Sequence, residues 1–144
     1  MCRAVSAYLL TRASPALARP GALRVTGPAL IRFRVTVRLR VATLDIAGTV
    51  ADQAQKAVEK LFDPAIGGLE QMGWPIGIGP TEDDIGACLL SAQPPIPFDE
   101  VIVVSFVPTG SAGGRTTLSV PPDGLPLLEP GGVMINPEQM TVPA

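Results

Sequence analysis

The 144 residues suffice for one domain around a single core, with room for a short arm but not for a second domain. Histidine is absent, and Cys2 and Cys88 are the only cysteines. That combination excludes a zinc-finger or disulfide-framework scaffold and removes the side chain best matched to proton transfer near neutral pH.

The first 26 residues read as an arm. Residues 3–12 can form a short helix with Val5, Tyr8 and Leu9 on one face, ended at Ser14-Pro15 because the residue before proline avoids helical geometry. No acid occurs before Asp45, and the Arg, Ala and Ser content of the first 25 residues also suits a mitochondrial transit peptide. Arg or Pro interrupts every apolar run before it reaches the roughly 18 residues that a membrane span requires, so no membrane span is expected.

From Ile31 the pattern sharpens. Ile31, Phe33, Val35, Val37, Leu39 and Val41 alternate with Arg32, Arg34, Thr36, Arg38, Arg40 and Ala42, which predicts a half-buried strand with an Arg-studded outer face. Thr49, with Asp52 three residues on, is the expected cap of a helix that carries Val50, Ala54, Ala57, Val58 and Leu61 along one face. Pro64 limits it. The Gly/Pro-rich stretch 64–80 is too long for an idle turn and is expected to pack over the domain with Trp74 as its anchor.

Thr81 opens a second helix whose first turn holds Glu82, Asp83 and Asp84, where carboxylates meet free backbone N–H groups and the positive end of the helix dipole. Ile85, Cys88 and Leu89 give that helix a narrow apolar face, and Pro94, Pro95 and Pro97 close it. The run VIVVSFV at 101–107 is apolar on both faces, as in a strand covered on both sides. Further short strands are expected at Thr116–Val120 and Val133–Ile135. The order is β-α-α-β-β, which predicts an α+β fold: a small mixed sheet against two helices, in the manner of ferredoxin-like sandwiches.

Few residues invite chemistry. The Glu82-Asp83-Asp84 cluster lacks ordered metal-ligand spacing and is better read as helix capping. Gly77-Ile78-Gly79 has no GxGxxG continuation that would make it a phosphate loop. Ser105 and Ser119 have no His base, and Cys88 is expected to be a structural thiol within its helix. No catalytic, metal or cofactor residue is assigned, and an enzyme is not expected.

Charge is polarised although the net value is only −2: residues 1–60 carry ten Lys/Arg against three acids (+7), and residues 61–144 one Arg against ten acids (−9). The halves can neutralise each other within one fold, or complementary patches can join neighbouring subunits head to tail. The column Arg32, Arg34, Arg38 and Arg40 is the candidate interface, since the guanidinium fork pairs bidentately with carboxylates. The alternative is a small α+β module that holds an anion or nucleic acid on that face. Nucleic acid is disfavoured by the acidic whole and the lack of aromatic side chains interleaved with the arginines.

The segment LFDPAIGGLEQMGWPIGIGPTEDDIGACL carries the most specific pattern. Leu61, Phe62, Pro64, Gly67 and Gly68, followed by Gly73, Trp74, Pro75 and Gly77, resemble the C-terminal region of baseplate J-like proteins, the baseplate assembly proteins of phage tails and contractile injection systems. The resemblance covers roughly residues 20–107, including the extended approach Gly27, Pro28 and Ile31 to the long strand. Members carry Phe and then Arg where this chain has Ile76 and Ile78, and they are much longer.

The resemblance implies a domain over 27–144 and a structural role in the baseplate wedge. It further implies copies of the same chain and other baseplate subunits as partners, and cytoplasmic assembly into a phage-tail-like particle. Pro64, Gly67, Gly68, Gly73, Trp74, Pro75 and Gly77 are then a structural loop. Both cysteines are expected to be unpaired.

Overall fold

The alternating segment becomes the central strand of a three-stranded mixed sheet in the computed structural model of the chain, which describes residues 1–139. In chain order the elements are α1 (Cys2–Arg12), β1 (Ala29–Val41), a 3-10 turn (Leu44–Ile46), α2 (Ala47–Leu61), α3 (Glu82–Leu90), β2 (Glu100–Pro108) and β3 (Gly124–Gln139). The strand order is β2-β1-β3, with β2 antiparallel and β3 parallel to β1. The α+β class, with a small mixed sheet packed against helices, is therefore as the sequence pattern predicts.

Period two does what it should in β1. Phe33, Val35, Val37, Leu39 and Val41 have no exposed surface, and they meet Val50, Ala54, Val58 and Leu61 of α2 and Ile85 and Leu89 of α3 in one core. From Ile31 to Val41 the one-residue alternation commits Ile31, Phe33, Val35, Val37, Leu39 and Val41 to the helix-covered face and every Arg to the other, where Leu30 also lies exposed.

Several expectations are corrected. Thr49 is not the cap of α2: the 3-10 turn runs straight into the helix, which starts at Ala47 with Ile46 as N-cap and no side-chain cap bond. Residues 116–120 form no strand, and the segment around them makes only isolated bridges, Thr81 with Thr117 and Phe106 with Arg115. The strand expected at Val133–Ile135 is the middle of the much longer β3. Its register on β1 breaks between Phe33 and Val35, where Glu129-Pro130-Gly131-Gly132 loop out. Pro126, Pro130 and Pro137 suit β3 because a sheet edge can absorb a missing backbone donor.

The run VIVVSFV is not covered on both faces. It forms the opposite edge, β2, with Val104 and Phe106 in the core and Val103 exposed on the far side. A register shift opposite Arg38 and Leu39 interrupts that edge, and Arg115 occupies the backbone groups of Phe106, so the strand is partly blunted against further pairing.

α1 forms as expected but packs nothing: none of its residues is buried, and Val5, Tyr8 and Leu9 are exposed. It is held locally by Thr11, whose hydroxyl donates to the Tyr8 carbonyl, and by the Arg12 guanidinium over the Tyr8 ring. The domain expected over 27–144 begins its first strand at Ala29, and its last five residues lie outside the described part.

α3 is fixed by its first residues. The Thr81 hydroxyl accepts from the Asp84 backbone N–H while the Asp84 carboxylate accepts from the Thr81 N–H at 2.8 Å, a complete capping box. Glu82 and Asp83 stay exposed in the first turn. Gly86, in the middle of this helix, has open space where a Cβ would stand. Gly86→Ala is therefore expected to raise stability by about 0.5–1 kcal/mol, because alanine restricts the unfolded chain and meets no atom in the folded one. Thermal unfolding of the variant measures it.

Candidate functional site

The loop between α2 and α3 is closed by its own backbone before any side chain is considered. Past the last turn of α2, the Asp63 carboxylate accepts from the Ala65 and Ile66 N–H groups, and the N–H groups of Gly67 and Gly68 donate back to the carbonyls of Asp63 and Leu61. These bonds satisfy carbonyls that the helix end would otherwise leave bare. A Cβ on Gly67 would run into the Leu61 and Asp63 carbonyls, and Gly68 and Gly73 hold positive φ of 77° and 89°.

The second half of the loop is pinned to the far side of the domain. The Gly77 N–H donates to the Gly124 carbonyl at 2.8 Å, and Gly79 packs flat on the Leu118 carbonyl, leaving no room for a side chain. Between these anchors Trp74 is 8% exposed, stacks on Phe62 with centroids 5.3 Å apart, and donates its indole N–H to the Ile78 carbonyl at 2.7 Å. Phe62 in turn meets Phe33 edge-on at 5.0 Å, and Phe33 contacts Phe106. Pro75 is exposed beside the indole, and Pro64 follows the α2 end. Of the loop residues singled out in the sequence, Gly67, Gly68, Gly73, Trp74 and Gly77 thus come together in one ordered unit. Gly77-Ile78-Gly79 cradles protein backbone.

The Arg column finds partners inside its own chain. Arg38 pairs bidentately with Glu138 of β3 at 2.8 and 2.9 Å, Arg40 with Glu100 of β2, and Arg34 more loosely with Glu129 at 3.7 Å. Arg32 has no ion-pair partner among the described residues. These pairs are half-exposed, where ion pairs contribute about 0–1 kcal/mol each. They link both outer strands to β1 and occupy three of the four guanidinium forks.

A second feature was not visible in the sequence. A groove of about 400 Å³ lies between α2 and the end of α3, walled on one side by the loop at Ile66–Leu69. Leu61 and Ile96 form its apolar floor, and Lys56 and Lys60, one helical turn apart, stand along it. No carboxylate lines it, and neither lysine has an ion-pair partner among the described residues. The one sequence signal that could have found it is the Lys56/Lys60 spacing next to the apolar stripe of α2.

Cys88 borders the groove and is chemically quiet. Burial pushes its thiol pKa up, with Lys60 pulling more weakly the other way, and the thiol donates to the Ala57 carbonyl at 3.4 Å. A protonated, bonded thiol is a poor nucleophile. Both cysteines are free, Cys2 exposed and Cys88 partly buried. Among the described residues no three His, Cys, Asp or Glu side chains converge as a metal site requires, and no helix is long and apolar enough to cross a membrane. No protein-family model matches the chain, and no curated protein aligns with it significantly.

Proposed function

We propose that this chain is a structural subunit of the baseplate wedge of a phage-tail-like contractile injection particle, working through subunit contacts and not as a catalyst. The observation that carries the reading is the loop at 61–79. The residues that resemble the baseplate J-like pattern are the ones that lock this loop: the Gly67-Gly68 closure of α2, the positive-φ turn at Gly73, the buried Trp74 and the Gly77 tether. A segment whose residues serve architecture suits a protein that works through subunit contacts. The lack of histidine and the quiet, partly buried Cys88 accord with it.

The anion- or nucleic-acid-binding alternative rests on the Arg column, and three of those four guanidinium groups already face carboxylates. Cytoplasmic assembly with further baseplate subunits and other copies of the chain follows from the proposal. Purification of sheath-bearing particles from the source cells, with antibody labelling under the electron microscope, tests it. Label at one end of the tube is the expected result. Absence of the chain from purified particles, or its recovery on nucleic acid instead, would overturn it.

A further inference from the structure

The groove and one exposed knob complement each other, and they lie toward opposite ends of the same helix. The knob is the 3-10 turn between β1 and α2: Leu44 is 60% exposed there, Asp45 beside it is exposed, and Asp45 has no ion-pair partner among the described residues. Ile46, half-buried, ties the turn to the core, so the leucine and the carboxylate are presented on a fixed base. The groove offers the converse: an apolar floor at Leu61 and Ile96, flanked by the ammonium groups of Lys56 and Lys60, with no acid among its lining residues.

We propose that the Leu44-Asp45 knob of one copy seats in the α2–α3 groove of the next, the leucine on the apolar floor and the carboxylate between Lys56 and Lys60. This deepens the assembly reading and rests on it. The occupant is a second copy because this chain itself carries the complementary knob and cannot bring it to its own groove: the knob precedes the first turn of α2, the groove lies along its second half, and about 18 Å separates their centres along the helix. Two different patches joined in this way form a heterologous contact, which propagates into a ring or an open filament and does not stop at a two-fold dimer. Opposite charges set the register and speed the encounter, while the buried leucine holds the complex together.

The contact is read by sedimentation of the full chain over a range of concentrations. The unmodified chain is expected to grow beyond a dimer as concentration rises. Asp45→Lys, and separately the double change Lys56→Glu/Lys60→Glu, should each weaken that growth by on the order of tenfold or more, since each places like charges in apposition. All three side chains are exposed and outside the ion pairs of the fold, so melting temperatures should fall by only a few degrees, the share of the helix dipole at Asp45 and Lys60. The decisive arm is the mixture. Asp45→Lys protein keeps its groove, the double lysine variant keeps its knob, and the reversed knob matches the reversed groove in sign, so the mixture should grow into alternating assemblies that neither variant forms alone.

A monomeric unmodified chain at all concentrations, unimpaired growth of either variant, or a mixture that stays monomeric would each overturn the proposal. A chain monomeric on its own yet present in purified particles would remove this contact and leave the baseplate reading standing.

Discussion

Trp74→Ala is expected to lower stability by about 3–5 kcal/mol, the range for aromatic-to-alanine changes in a core. For a domain of this size that corresponds to a melting temperature lower by roughly 10–15 °C. The indole is almost fully buried and covers Phe62, which packs on Phe33 in the central strand. Its removal opens a cavity at the junction of the loop, α2 and β1, and frees the Ile78 carbonyl from its 2.7 Å hydrogen bond. Trp74→Phe keeps a six-membered ring against Phe62 and loses the pyrrole ring with its donor, so it should recover about half of the difference. A melting temperature unchanged in the alanine variant would show that the loop is not part of the core.

Gly67→Ala should destabilise by about 3 kcal/mol, at the upper end of what overpacking a tight site does. The residue's φ is not positive, so conformational freedom is not the issue. Steric room is: an added methyl would overlap the Leu61 and Asp63 carbonyls, both backbone atoms that cannot rotate away. Relief requires opening the turn that returns the Gly67 and Gly68 N–H groups to the end of α2. The same chemical change at Gly86, where the space is open, is expected to stabilise, so the pair of variants separates crowding from the general effect of replacing glycine. Chemical denaturation of both, read at equal slopes, provides the comparison.

The rigidity of this loop bears on the groove. Ile66 and Leu69, which wall it, sit on the turn that Gly67 and Gly68 close. If the turn opens in Gly67→Ala, the groove loses a wall, and self-association should fall together with stability. The lysine variants, by contrast, act chiefly on association, because their side chains are exposed and only the helix dipole registers the change.

Local chemistry set a good part of this structure directly in the sequence. The period-two alternation of 31–42 fixed β1 and which of its faces is buried, because a strand turns its side chains over at every residue whatever lies nearby. The Thr81–Asp84 spacing fixed the start of α3, since a capping box needs nothing beyond its own turn. The glycines and Trp74 of the 61–79 segment mark the positions where the backbone closes on itself and the indole is buried.

Long-range pairing was another matter. Nothing local tells that Glu138 and Glu100, 100 and 60 residues from their partners, would take up Arg38 and Arg40 and so turn a free basic column into an internal one. The short strand expected at Val133–Ile135 stops at the Pro-Gly-Gly of 130–132, and only the parallel register on β1 carries β3 across that break. VIVVSFV has the composition of a covered strand, yet the sheet ends there, leaving Val103 exposed. Nor does the spacing of Phe33, Phe62, Trp74 and Phe106 foretell that their rings meet in one chain of contacts. The reason is the same in each case: periodicity and capping specify which side of an element avoids water, while the identity of its neighbour depends on how distant segments close around the shared core.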